Sequence, residues 1–304
     1  MKCLGFPPGA IFWHDRRPGP IPLEPPRVSE KKANPLVVQS RKKKNPKLLG
    51  SHQRSWVWGR HAVLEILHAR HWPAREVYLD EALAPEDLRV ARSLAEQMDA
   101  TVAIEPAERL TQLCNTAEHQ GYLARMRPFP YADADAMLAH PALDGAGPAP
   151  LFALLDGIQD PFNFGAIIRS AETLGVTAVA IGGHRQAEVN SQVARSSAGA
   201  VNRLPIVRVE DLTDLARRLR ERGVRLAAAS EKADRVCADW DFSTPTALVL
   251  GNEGHGVSPE LMDLCDVRLR IPQHGEIGSL NVAAAAAILF YEAARQRAPQ
   301  TGRE

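Results

Sequence analysis

Three short stretches of this 304-residue chain carry polar side chains at spacings that could serve chemistry. The first runs Asp160-Pro161-Phe162-Asn163-Phe164-Gly165 and reaches Arg169. Asn163 offers a neutral donor and acceptor, and Arg169 a planar guanidinium fork suited to phosphate or carboxylate. Blander roles are open to both: a helix cap for Asn163, an ion pair with Glu172 for Arg169. The second stretch is Gly251-Asn252-Glu253-Gly254-His255-Gly256, directly after the apolar run 247–250. Its glycines would let the main chain approach a ligand closely, while Glu253 could orient a cation or a nucleotide by charge-assisted hydrogen bonds. Taken alone it is equally an ordinary tight turn or an exposed carboxylate. The third leaves Ile271-Pro272, passes Gly275 and Gly278, and delivers Ser279-Leu280-Asn281 to a C-terminal helix, where both Ser279 and Asn281 could supply neutral hydrogen bonds or, more blandly, a helix N-cap.

The elements that must position these residues follow from apolar spacing. Apolar residues at 63, 64, 66 and 67 predict a helix, 76–79 a strand, 85–98 a helix with proline in its first turn, and 101–104 a strand. A helix over 107–113 and a strand over 121–126 complete a small α/β unit. Five prolines with Gly145 and Gly147 between 128 and 150 read as a linker with one weak helical turn at 133–139. Beyond it, strands at 151–155, 178–181, 224–228, 247–250 and 267–271 alternate with helices, which predicts a mostly parallel sheet covered on both faces.

Composition narrows the function classes. The net charge of +1 hides an asymmetry: residues 1–55 hold 12 Lys/Arg against 3 Asp/Glu, leaving 25 against 33 for the rest. A basic arm suits a polyanion, although a solvated tail reads the same way. With nine of the 23 prolines and no apolar periodicity, that arm is expected to be disordered. No G-x-G-x-x-G or G-x-x-x-x-G-K-[ST] occurs, which disfavours dinucleotide and P-loop enzymes. Cys3, Cys114, Cys237 and Cys265 are scattered, and His61, His68 and His71 lack a second ligand type, so neither disulfide nor metal is expected. With no secretory leader and no run of ~18 apolar residues, a soluble cytoplasmic protein is expected.

Together, and in this order, the three stretches resemble the three signature motifs of the SpoU/TrmH family of RNA ribose 2′-O-methyltransferases, over about 151–297. The core D-P-x-N-x-G-x-x-x-R is carried by Asp160 to Arg169. The resemblance implies a SPOUT-type parallel sheet with a C-terminal trefoil knot, and a homodimer acting on RNA. It implies S-adenosylmethionine held by backbone at Gly251, Ile271 and Leu280, with Asn252 and Ser230 as further lining. Asn163, Arg169, Glu253, Ser279 and Asn281 match the family's functional positions, Arg169 being either the base or a phosphate-positioning group. A guanidinium is a poor base at neutral pH, which favours positioning. Upstream, Gly59-Arg60-His61-Ala62-Val63 and His119-Gln120-Gly121 resemble the L30e-like substrate-binding domain of the RlmB-like branch, which implies a guanosine of large-subunit rRNA as target. The domains implied are a tail 1–55, a substrate-binding domain 56–128, a linker 129–150, a catalytic domain 151–297 and a tail 298–304. A tRNA 2′-O-methyltransferase and a non-catalytic ribosome-assembly factor are the alternatives.

Overall fold

A computed structural model describes residues 55–298 apart from position 277; the expected disorder of the basic arm lies outside the described residues, as does 299–304. The small sheet is built from β1 (Trp56–Trp58), β2 (Ala74–Asp80), β3 (Thr101–Glu105) and β4 (Tyr122–Met126), in the order β1-β4-β2-β3. β4 runs antiparallel to both its neighbours, while β2 and β3 are parallel. Period-2 alternation divides its faces. Val57, Val77, Leu79, Tyr122 and Ala124 turn toward α1 (Arg60–Ala69) and α2 (Pro85–Glu96), whereas Trp56, Trp58 and Leu123 meet Leu110 and Cys114 of α3 (Ala107–Cys114). α1 buries Val63, Ile66 and Leu67, a 3.6-residue stripe, and stops where Arg70 turns left-handed at φ 55°. β1 is too short to announce itself as a strand, because two of its three residues are tryptophans and all three are buried.

Residues 129–150, read from the sequence as a linker, pack against the larger sheet. Asp133 caps α4 (Ala134–Leu138), whose Met137 and Leu138 are buried there, and Ala132 bridges to Val207. Prolines set turns here, yet the few apolar side chains between them still find a core.

The second sheet has seven strands, all parallel: β5 (Leu151–Asp156), β6 (Ala178–Gly182), β7 (Ile206–Val209), β8 (Arg225–Ala229), β9 (Arg235–Val236), β10 (Thr246–Gly251) and β11 (Val267–Arg270). Their order is β7-β6-β5-β10-β8-β11-β9. The chain therefore winds outward from β5 through β6 and β7, then restarts on the other side, with β10 inserted between β5 and β8. A crevice forms beyond the carboxyl ends of strands at such a reversal. β5 and β10 are buried along nearly their whole length, as strands covered on both faces must be. α5 (Pro161–Thr173), α6 (Ser191–Ser196) and α9 (Val282–Arg297) bring the apolar residues of one face together, and α7 (Leu212–Glu221) with α8 (Pro259–Met262) cover the other. Gly165 lets α5 and α6 approach: a Cβ there would lie 1.8 Å from Ser196 Oγ and 2.9 Å from Val193 O.

Candidate active site

The carboxyl ends of β8, β10 and β11 open into a cleft of about 570 Å³. It is lined by Ala229 to Lys232 after β8, by Leu250 to Val257 after β10, and by residues 279–282 with Ala285 and Leu289. Gly251 is required by sterics here. A Cβ on it would lie 2.1 Å from both the Gly256 carbonyl carbon and the Val257 nitrogen, which are backbone and cannot yield.

Hydrogen bonds from the end of β5 hold that loop. Asp156 accepts from the Ser258 N–H at 2.6 Å, and Asn252 donates through Nδ2 to the Gly157 carbonyl at 2.8 Å. Asn252 Oδ1 accepts from the Gly254 and His255 N–H groups at 2.8 and 3.3 Å, while Asn252 and Gly256 exchange main-chain bonds of 3.0 and 2.8 Å. The Asn252 side chain is thus engaged in shaping the loop.

At the mouth, the three stretches meet in one relay. α5 is capped by Asp160, which accepts from the Phe162 N–H at 2.9 Å, with Pro161 in the first turn; Asn163 is therefore inside the helix and free of capping duty. Its Nδ2 donates to Glu253 Oε1 at 2.7 Å, and its Oδ1 accepts from Asn281 Nδ2 at 3.0 Å. Asn281 Oδ1 in turn caps α9, accepting from the N–H groups of Ala283 and Ala284 at 2.9 and 3.2 Å. The cap of α9 is Asn281, so the blander reading, a helix cap, holds for Asn281 Oδ1 and not for Ser279 two residues earlier. Ser279 lines the cleft instead, beside Leu280, whose apolar side chain is 41% exposed at the rim.

Of the remaining expected residues, Gly251, Ile271, Leu280, Ser230 and Asn252 all line the cleft, as do Glu253, Ser279 and Asn281. Arg169 does not. Six residues beyond Asn163 on a straight helix is about 9 Å along the axis and about 120° round it, so the two side chains leave different faces. Arg169 is exposed, and its side chain forms neither the ion pair with Glu172 nor any hydrogen bond among the described residues. Sequence reasoning passed over Glu231, Lys232 and Gln273, which also line the cleft. Their signal was positional: they follow the carboxyl ends of β8 and β11.

A cleft with apolar Leu250, Ile271, Leu280 and Leu289, close main-chain approach at Gly251 and a few polar groups fits an adenosyl cofactor with a charged amino-acid arm. Among the described residues no three His, Cys, Asp or Glu side chains could hold a metal ion, and no helix is long and apolar enough to cross a membrane.

Fold and cleft together are those of a parallel-sheet α/β protein with a cleft at the carboxyl ends of β8, β10 and β11. Residues 150–291 match the SpoU rRNA Methylase family, and residues 56–132 match the family described as RNA 2′-O ribose methyltransferase substrate binding. A TrmH family tRNA/rRNA methyltransferase of Bacillus subtilis, YacO, is 30% identical over 249 residues, covering 82% of this chain and 98% of the relative. One from Staphylococcus haemolyticus is 33% identical, covering 79% and 94%. Among solved structures, the SpoU methyltransferase AviRb from Streptomyces viridochromogenes in complex with AdoMet aligns with a TM-score of 0.67 at 31% identity, over 80% of this chain and 89% of that one. The chain belongs to the SpoU/TrmH family: it is an S-adenosylmethionine-dependent RNA methyltransferase.

Proposed function

We propose that this enzyme methylates a ribose 2′-hydroxyl, and that its target is a guanosine of large-subunit rRNA. The observation that carries the reading is the relay Asn281 to Asn163 to Glu253 at the rim of the cleft. S-adenosylmethionine supplies a methyl group on a positively charged sulfur. The residues of the chain then have to orient the hydroxyl and accept its proton. Glu253 Oε1 is fixed by Asn163 at 2.7 Å, which leaves Oε2 to receive a hydroxyl hydrogen bond, with only a 3.5 Å approach from Asn252 Nδ2. Two amides that hold one carboxylate in a single rotamer fix the nucleophile's direction, and orientation of this kind supplies much of the rate in a transfer between two bound partners. Gly251, Ile271 and Leu280 hold the cofactor, Ser230 and Asn252 complete its site, and Ser279 hydrogen-bonds the nucleotide.

Arg169 grips an RNA phosphate. Nothing among the described contacts uses it for folding, so its replacement by Ala should leave the melting temperature unchanged and lower methyl transfer. The enzyme works as a homodimer. Supporting this, α9 carries an exposed stripe of Ala284, Ile288 and Tyr291, and Phe162 and Leu280 are exposed as well, apolar side chains of the kind a partner surface covers. The description of the matched upstream family supports a ribose oxygen as acceptor, and that of the downstream family supports rRNA. The relatives' names also include tRNA. Mapping of ribose methylation in rRNA and tRNA, with and without the gene, tests the choice. One rRNA guanosine losing its 2′-O-methyl group supports the reading; a lost tRNA methyl group moves the target, and no loss at all leaves a ribosome-assembly factor.

A further inference from the structure

A second hollow, of about 480 Å³, lies at the end of the small sheet away from Gly59 and Gln120, where β4 hands the chain on. Ser55, Arg75, Arg125, Met126, Arg127 and Pro128 line it. Its charge is unbalanced. Arg75 and Arg125 both turn to the same oxygen of the same carboxylate, Glu76 Oε1, at 3.6 and 3.5 Å, while Glu76 Oε2 accepts from the Tyr78 hydroxyl at 3.0 Å. Arg127 has no ion pair among the described residues, and its carbonyl is engaged by the Trp72 indole N–H at 2.8 Å, which holds its main chain in place. Two guanidinium groups thus share one carboxylate oxygen, and the third has no acidic partner among the described residues.

Such crowding of like charge in a concave site favours an anion that the chain itself does not provide. Of the three, Arg125 is held in place by its neighbours. Arg125 lies over the Trp56 ring at 5.8 Å, Trp56 is itself buried against Tyr78, and β4 pairs Arg125 with Trp56 on one side and Glu76 on the other. Pre-set guanidinium groups lose little freedom on binding, and their forks match phosphate oxygens two at a time.

We propose that this hollow is a phosphate-gripping subsite for the RNA backbone, with Arg75, Arg125 and Arg127 holding consecutive phosphodiesters of the substrate away from the reacting ribose. Three observations favour RNA over an acidic protein segment. The hollow is a positive spot on a part of the chain, residues 56–304, that holds 25 Lys/Arg against 33 Asp/Glu. Ser55, on its lip, is preceded in sequence by Arg41-Lys42-Lys43-Lys44, Lys47 and Arg54, so the positive charge continues along the chain. The lining offers few apolar side chains to anchor a peptide. The subsite rests on the reading of RNA as substrate and deepens it: it assigns the small domain a face, set by the arginines of β2 and β4.

The test compares wild type with Arg75→Gln/Arg127→Gln and with Glu76→Gln, using an unmodified large-subunit rRNA transcript as probe and measuring binding from 50 to 200 mM salt. Losing two phosphate contacts should flatten the log–log salt dependence by about 1.6, so that the fourfold salt rise costs wild type about ninefold more affinity than the variant. Glu76→Gln removes the competing carboxylate and should tighten binding about two- to fivefold, an outcome that unfolding cannot mimic. Arg75→Lys/Arg127→Lys keeps the charge and should restore most of the slope. Equal slopes for wild type and the Gln pair, or unchanged affinity in Glu76→Gln, would overturn the subsite. An acidic peptide that competes for the hollow while RNA binding is unmoved would overturn it as well. Methyl transfer to the same transcript is scored separately: its absence in wild type counts against the proposed function, while the salt slopes still decide the subsite.

Discussion

Asn281 does two jobs with the two ends of one amide, and substitution can separate them. Its Oδ1 accepts from the Ala283 and Ala284 N–H groups and so caps the 16-residue α9; its Nδ2 reaches Asn163 at 3.0 Å and so starts the relay to Glu253. Asn281→Ala abolishes both. Loss of the cap should cost about 1 kcal/mol, a fall of about 2 to 4 °C in melting temperature for a unit of this size. Asn281→Asp keeps the cap, because a carboxylate accepts the same two N–H groups, and adds a negative charge at a helix N-terminus, worth about 0.3 to 1 kcal/mol in favour of folding. It has no donor for Asn163 Oδ1. Two carboxylates then compete for the single Asn163 amide, and Glu253 loses its fixed direction. One lost hydrogen bond of about 1 to 2 kcal/mol corresponds to a five- to thirtyfold drop in transfer. Thermal unfolding and the initial rate of tritiated methyl transfer to undermethylated rRNA read the two effects. Melting of Asn281→Asp as low as Asn281→Ala, or methyl transfer by it as fast as wild type, would refute this division of roles.

Other substitutions probe the scaffold. Gly251→Ala drives a Cβ to 2.1 Å from the Gly256 and Val257 backbone, so S-adenosylmethionine affinity by calorimetry should fall more than tenfold while circular dichroism stays native. Gly165→Ala collides with Ser196 and should lower stability by about 1 to 3 kcal/mol in urea. Arg297, whose guanidinium donates to the carbonyls of Ala149, Pro150, Phe242 and Thr244, ties the end of α9 to the starts of β5 and β10; Arg297→Met should cost about 2 to 4 kcal/mol in the same assay. Burial, aided by Asp266, pushes the Cys265 thiol from 9.0 up to about 12. The unfolded chain therefore ionises first, and the stability held below pH 9 is lost as pH rises toward 12, at up to about 1.4 kcal/mol per pH unit. Cys265→Ala should show a shallower alkaline loss than wild type, and equal slopes would contradict this.

Much of this was legible in the chain because the strands announce themselves. The runs that became β5, β6 and β10 are almost wholly apolar, β8 is apolar after Arg225 and β11 alternates Val and Leu with Arg; each glycine-rich turn follows one of them, so sheet class and cleft could be read together. What escaped depended on contacts distant in sequence. β9 is two residues long and exists by pairing with β11. β7 carries only four residues, two of them polar-facing. Met137 and Leu138 looked like linker because their partners lie around 207–226. At the site, residue types showed which side chains matter; the bond from Asn163 to Glu253 spans 90 positions and that from Asn281 to Asn163 spans 118, and no local pattern encodes them. Helical geometry also separates Arg169 from Asn163, which a shared motif conceals.

The most direct measurement is product analysis. Purified enzyme is incubated with tritiated S-adenosylmethionine and rRNA from a strain lacking the gene, the RNA is digested to nucleosides, and the label is followed by chromatography. The expected result is label in 2′-O-methylguanosine and in no base-methylated nucleoside, abolished by Glu253→Gln combined with Asn163→Ala. Label in a methylated base, or full transfer by that double variant, would contradict it.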